Sequence, residues 1–267
     1  MFYCYRPGCA IVGGMKIVSY NLFEGAEQTA DALETFALQE NIDILCLQEV
    51  NGWQEGTPSR LEQFAAATGL NHCVYGDSNT EYKLATFSRY PITTSRVHTE
   101  GLWHCAVQTV IHSPIGKLDA WNIHLNPKAE DARLPEARFI VSQVDPDALA
   151  VIMGDFNSLS ESDTYPDSLA GELAAKGIAK FGAGHLQFDV MHEFQSAGLL
   201  DTALLTTAQT NTVPTPANTD VFHAAKMRLD YMLGTKALNE KIVDITVPKN
   251  DLTNRISDHY PVVCTFA

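Results

Sequence analysis

Apolar runs that end on an amide, an acid or a histidine recur along this chain, and their order predicts its architecture. Residues 15–21 (Met-Lys-Ile-Val-Ser-Tyr-Asn) read as a strand closing on Asn21, and residues 42–49 as a buried strand closing on Glu49. Between them, residues 27–40 place Ala30, Leu33 and Ala37 at helical spacing, and Asn41 suits the left-handed position after a helix. This opening β-α-β unit favours parallel pairing, which would put Asn21 and Glu49 at the same sheet edge. A Gly/Pro-containing loop follows at 51–59. Its Trp53 could stack on a ligand or pack against its own scaffold. Ser59 is placed to cap a short helix that stops before Gly69.

Strands are then predicted over 82–88, 103–111 and 118–123, the last two joined through Pro114 and Gly116 as a hairpin, with His124 at the strand end. Residues 133–144 carry Leu134, Ala137, Ile140, Val141 and Val144 on one helical side, and 149–153 form a strand, giving a second β-α-β unit. That strand runs into Gly154-Asp155-Phe156-Asn157. The glycine allows a sharp turn, and two-residue spacing on extended chain sends Asp155 and Asn157 to the same side. The same tetrapeptide is also what an ordinary turn after a strand looks like. Residues 158–227 are irregular, with helix-like pieces at 168–176 and 191–198 and a Thr/Pro/Asn-rich loop at 206–220. Strands return at 227–233, 242–247 and 262–266, the last preceded by Ser257-Asp258-His259-Tyr260-Pro261.

Of the 267 residues 45% are apolar, enough for one sizeable core, and no linker-like or low-complexity tract divides them. A single domain over 15–267 is expected, with 1–14 as a poorly ordered extension. Acids outnumber bases 32 to 18, for a net charge of −14. Such a surface argues against an extensive basic face for duplex nucleic acid, whose phosphates are gripped by Lys and Arg. Six cysteines (Cys4, Cys9, Cys46, Cys73, Cys105, Cys264) lack metal-site spacing and read as small core residues or reduced thiols in a cytoplasmic protein. No apolar run approaches membrane-spanning length, and a monomer is expected.

The strand ends carry the candidate chemistry. Asn21, Glu49, His124, Asp155, Asn157, Asp230, Asp258 and His259 occupy element ends in six separated segments. Asn21, Glu49 and Asp258 offer the oxygen ligands that a hard cation such as Mg²⁺ takes. Zinc is not expected, since no cysteine or histidine pair is closely spaced. A histidine beside a carboxylate can act as a general base. Asp230, the only acid in Arg-Leu-Asp-Tyr-Met-Leu, could pair with Arg228, yet an acid in an apolar strand needs a partner of its own.

Seven segments together resemble the endonuclease/exonuclease/phosphatase superfamily of deoxyribonuclease I-like proteins. They are Ser-Tyr-Asn21, Leu-Gln-Glu49-Val, Glu81-Tyr-Lys-Leu-Ala-Thr-Phe-Ser-Arg-Tyr-Pro, Asn-Ile-His124-Leu, Gly-Asp155-Phe-Asn157, Arg-Leu-Asp230-Tyr and Ser-Asp258-His259-Tyr-Pro. The resemblance implies an α/β (α+β) four-layer sandwich, two mixed β-sheets flanked by helices, with one site at the end of both. It implies a Mg²⁺-dependent phosphoesterase, Mn²⁺ being a substitute, with Glu49 as principal metal ligand and Asn21 and Asp258 nearby. His259 oriented by Asp230 would help activate water, and Asp155 with Asn157 would position water and phosphate. His124, paired with Glu81, would act near the leaving group or phosphate. Repair nucleases of the exonuclease III type carry a tyrosine segment where this chain has His124, so an abasic-site endonuclease is not the expectation. The expected substrate is a phosphate ester, a small molecule or nucleic acid. Nuclease action is the alternative, and a non-catalytic binding protein on this fold the remote one.

Overall fold

The computed structural model describes residues 14–26, 29–206, 210–223 and 225–267. The expectations for Cys4, Cys9 and nearly all of the N-terminal extension lie outside them. The chain runs β1 (Met15–Asn21), α1 (Ala30–Glu40), β2 (Ile44–Gln48), α2 (Arg60–Thr68), β3 (His72–Gly76) and β4 (Leu84–Ser88). It continues through β5 (Ile92–His98), β6 (Ala106–Ser113), β7 (Gly116–His124), α3 (Glu130–Gln143), β8 (Leu149–Asp155), α4 (Leu169–Ala175) and α5 (Asp189–Ser196). The last elements are β9 (Leu200–Asp201), a 3₁₀ turn at Thr202–Leu205, β10 (Asp230–Gly234), α6 (Lys236–Asn239), β11 (Ile242–Thr246), α7 (Thr253–Ile256) and β12 (Val262–Phe266).

The strands form two mixed six-stranded sheets, ordered β11-β12-β1-β2-β4-β3 and β5-β6-β7-β8-β10-β9. Both expected β-α-β units are present, with β1 parallel to β2 and β7 parallel to β8. The capping reading also holds. Ser59 and Glu62 form a capping box on α2, and Gly69 and Asn41 close α2 and α1 in the left-handed conformation.

Alternation along each strand explains why the runs look uninterrupted. Ile17, Ile44, Cys46, Val151, Met153 and Cys264 point between the sheets, whereas Val18, Leu45 and Leu47 meet α1 and α2, and Ile152 meets α3 and α5. Both faces are therefore buried, as in α/β proteins. The inward rows change character along their length: Ile17 gives way to Ser19 and Asn21, Cys46 to Gln48, Ala120 to Asn122 and His124, and Met153 to Asp155. Beneath the site Asn122 crosses between sheets, donating to the carbonyls of Leu47 and Ala85 (3.0 Å each) and accepting from Gln48 at 2.7 Å. Asp155, Asp230 and His124 become neighbours through strand register, Asp230 opposite Asp155 and Asp155 beside His124. Asn21 stands opposite Gln48 at the corresponding edge of the other sheet.

Several expectations change. Strands β3, β5 and β9 were not anticipated, and β3, β5 and β9 all lie at sheet edges, where short or half-exposed strands lack an apolar run. β6 starts at Ala106 rather than 103, leaving Trp103 and His104 in the loop before it. β10 starts at Asp230 rather than 227, because Met227 bridges to Val213 instead. The first turn of α3 begins at Glu130, earlier than 133, since it buries Glu130, Arg133 and Glu136 rather than apolar residues. Trp53 is a core residue, 1% exposed, packed on Phe64 and Phe87 with its indole N–H on the Gly25 carbonyl at 2.9 Å. Gly154 makes no sharp turn; it sits inside β8 at φ +147°, where a Cβ would lie 1.8 Å from the Ile123 carbonyl oxygen. Gly154→Ala is therefore expected to cost at least about 3 kcal/mol of unfolding free energy, measured by chemical denaturation, or to prevent folding.

Candidate active site

Where the inward rows turn polar, the ends of β1, β2, β7 and β8, the start of β10 and the Ser257–His259 turn before β12 surround a cavity of about 470 Å³. Glu49, His124, Asp155, Asn157, Asp258 and His259 line it directly, and Glu81 stands at its rim. Phe23, Glu24, Glu49 and Asn157 all line it with positive φ, a conformation that costs non-glycine residues energy and clusters at functional sites.

His259 Nδ1 donates to Asp230 Oδ2 at 2.8 Å, which leaves Nε2 facing Asp155 Oδ2 at 3.9 Å and Asp258 Oδ1 at 4.0 Å. Burial disfavours the imidazolium, but the charges of Asp230, Asp258 and Asp155 outweigh it and push the His259 pKa up to about 10. Arg228 does not claim Asp230; it pairs with Asp163 and Asp201. Asp155 accepts from Asn21 Nδ2 at 3.1 Å and from the Asn157 N–H at 2.8 Å. Burial would raise its carboxyl, yet His259, His124 and Lys180 hold it down to about 2. Asn157 is anchored by donating to the Leu125 carbonyl at 2.9 Å.

Glu49 accepts from Asn21 Nδ2 at 3.2 Å and from the Glu24 N–H at 2.9 Å, with no ammonium or guanidinium partner among the described residues. Burial pushes its carboxyl up to about 7. Asn21 turns its amide nitrogen toward Glu49 and Asp155 while its oxygen accepts from the Phe23 N–H at 3.0 Å. As placed it orients the carboxylates instead of offering an oxygen to a cation.

His124 does not pair with Glu81. Its Nε2 faces Asp155 Oδ2 at 3.5 Å and Glu49 Oε1 at 4.0 Å, and its Nδ1 has no partner among the described residues. The ring is flanked instead by His104, stacked at 4.2 Å, and by Tyr82, while Glu81 stays exposed. Burial pushes His124 down to about 4 and His104, held by Thr80 Oγ1 at 2.6 Å, down to about 2.

The expectation of no closely spaced histidines is also corrected. His223, Asp258 and His259 bring three ligand atoms within 4.8 Å of one another, all buried, and His223 Nδ1 bonds Asp258 Oδ2 at 2.9 Å. His104, His223, Lys180, Asp220 and the exposed aromatics Trp103 and Phe222 belong to this cavity but were missed. His104 and Trp103 sit in a rim loop, and the others in the aperiodic 158–227 stretch, so no period marked them. The polar break Trp-His-Cys before an apolar strand is the one signal available for His104.

The profile of the Endonuclease/Exonuclease/phosphatase family matches residues 18–259. The chain belongs to this family. An AP endonuclease from Archaeoglobus fulgidus superposes with a TM-score of 0.72 at 19% identity, over 94% of this chain and 99% of that one. A family protein from Bacteroides vulgatus gives 0.70 at 14% identity, covering 96% of this chain and 99% of its own. The 3′ phosphatase NExo from Neisseria, solved with a product DNA hairpin, gives 0.68 at 19% identity over 95% and 99% of the two chains. At these identities the likeness shows the fold, two mixed sheets with flanking helices. A search of curated proteins returns no match. No helix among the described residues is long and apolar enough to cross a membrane.

Enzymes of this family hydrolyse phosphate esters and generally use divalent metals. The donor set here fits such an ion. Glu49 is a largely enclosed carboxylate with no ammonium or guanidinium partner among the described residues, and Asp258 faces the same cavity. His223 adds an imidazole, a donor suited to Mn²⁺ or Zn²⁺ as well.

Proposed function

We propose that this protein is a divalent-metal-dependent phosphoesterase, Mg²⁺ or Mn²⁺ being the ion, that hydrolyses a small phosphate ester by in-line attack of water. The observation that carries the reading is the convergence of Glu49, Asp155, Asp258 and the Asp230–His259 pair, from both sheets, on one cavity. Glu49 and Asp258 would hold the cation, with Asn21 fixing Glu49. When bound, it polarises the phosphoryl oxygen and makes water easier to deprotonate.

The chain's own residues account for the remaining steps. Asp155, kept anionic, orients the water, and Asn21 keeps the carboxylate in place. His259 faces the cavity through Nε2, where it takes the water's proton or, as the imidazolium, holds a phosphoryl oxygen; Asp230 fixes its ring and tautomer. Asn157 and neutral His124 complete the donors around the developing charge. Glu81 touches none of these groups, so Glu81→Ala is expected to change kcat by less than about threefold in a steady-state assay, far below the effect of losing a proton-transfer group.

Substrate size is argued from charge. The cavity's rim carries Glu24, Glu81 and Asp220 against one exposed ammonium, Lys128, which gives duplex phosphates little to bind. The test is a Mg²⁺-supplemented panel of aryl phosphodiesters and monoesters, nucleotide diesters, inositol phosphates, single-stranded DNA, RNA and plasmid. Turnover of small esters with plasmid left intact is expected. Plasmid nicking at a comparable kcat/KM would replace this reading with a nuclease.

A further inference from the structure

Among the charged side chains that line the cavity and have no task in the steps above, Lys180 is the buried one. Lys180 belongs to the aperiodic stretch after β8, is 7% exposed and lines the cavity together with Asp155, Asn157 and His259. Its Nζ makes no hydrogen bond or ion pair within 4.0 Å of any described residue; it lies 5.3 Å from the Phe181 ring centroid and feels the charges of Asp155, Asp220 and Glu49 only from farther off. A buried ammonium without a partner in direct contact is costly, so its placement calls for a ligand that is anionic.

The backbone beneath Lys180 is fixed for that purpose. Arg133, fully buried, donates to the Lys180 carbonyl at 2.7 Å and to the Asn126 carbonyl at 3.0 Å. The same guanidinium bonds Ser158 Oγ at 2.8 Å and Glu130 Oε2 at 2.9 Å. Three loops leaving the cavity, at 126, 158 and 180, are thereby tied to one side chain, so the lysine is presented from a rigid base. Lys128, the other ammonium lining the cavity, is exposed and lies over the Trp103 ring at 5.9 Å, outside the ring of buried carboxylates.

We propose that Lys180 is a catalytic residue whose ammonium binds a non-bridging oxygen of the substrate's phosphoryl group. The proposal rests on the phosphoesterase reading for its substrate class. Its chemistry is simple charge pairing: the phosphoryl oxygen supplies the direct anionic contact that no described carboxylate makes with Nζ, and no bond to lysine forms or breaks.

The test compares the full chain with Lys180→Met and Lys180→Arg, using inorganic phosphate in the presence of Mg²⁺ as the calorimetric probe and thermal melting alongside. Lys180→Met is expected to weaken phosphate binding at least tenfold and kcat/KM for an aryl phosphodiester at least thirtyfold, with a melting temperature equal to or above the parent's. Lys180→Arg is expected to stay within about threefold of the parent for phosphate. Unchanged phosphate binding in Lys180→Met would overturn the proposal, as would a lowered melting temperature accompanying the loss, which would make the residue structural. Phosphate binding that depends on Lys180 in a parent that turns over no ester would retire the esterase reading alone. Ester turnover that survives Lys180→Met would retire the lysine alone.

Discussion

His259→Ala is expected to lower kcat on a phosphodiester at least a hundredfold, about 2.7 kcal/mol of transition-state stabilisation, with far-ultraviolet circular dichroism unchanged. The imidazole faces the cavity and the Asp155 carboxylate through its outer nitrogen while its inner nitrogen is fixed, at 2.8 Å from Asp230. Alanine removes both the proton acceptor and the cation beside Asp155. Asp230→Asn is the companion variant. It keeps the ring packed but weakens the charge that fixes the tautomer, so an intermediate loss in kcat with little change in KM is expected, read from the same steady-state curves. A His259→Ala enzyme with near-parental turnover would remove this residue from the chemistry.

Glu49→Ala is expected to lower turnover by at least a hundredfold as well, and to abolish tight Mn²⁺ binding measured by calorimetry. Glu49 stands in a left-handed backbone conformation, φ +61°, that presents its carboxylate to the cavity from the end of β2. Among the described residues the one cationic-capable side chain within 4.0 Å is the His124 imidazole, and burial, with the Asp258 charge adding to it, pushes the Glu49 carboxyl up to about 7. A group so placed gains most from a divalent cation. Glu49→Gln separates shape from charge, since the amide preserves volume; it should bind Mn²⁺ as poorly as the alanine variant. Retained Mn²⁺ affinity in both variants would move the ion elsewhere in the cavity, with His223, Asp258 and His259 the next candidates.

The sheet scaffold was legible because its strands are central and buried on both faces. Ile44 to Gln48 and Leu149 to Asp155 show continuous apolar runs whose polar ends are the site itself. The seven motifs supplied the order in which those ends meet. What stayed illegible has three physical origins. Edge strands such as β5, with Thr93 to Arg96 exposed, bury too little to leave a pattern. α3 turns Glu130, Arg133 and Glu136 inward to hold loops, so its first turn carries no apolar signature. Lys180 and His223 reach the cavity from an aperiodic segment, and only tertiary contact with Arg133 and Asp258 reveals their role.

The partner expected for His124 failed for a related reason. Glu81 and His124 are both near the cavity, but Tyr82 and His104 present their rings to His124 and leave Glu81 in solvent. Sequence order placed the right segments side by side without resolving which side chain on each would turn inward.

The central claim, one metal-dependent phosphoesterase site shared by both sheets, is tested most directly by turnover of an aryl phosphodiester in chelator-treated protein as Mg²⁺ or Mn²⁺ is titrated back. Turnover that is absent in EDTA and returns saturably with either ion is the predicted result. Hydrolysis undiminished by EDTA would contradict the account.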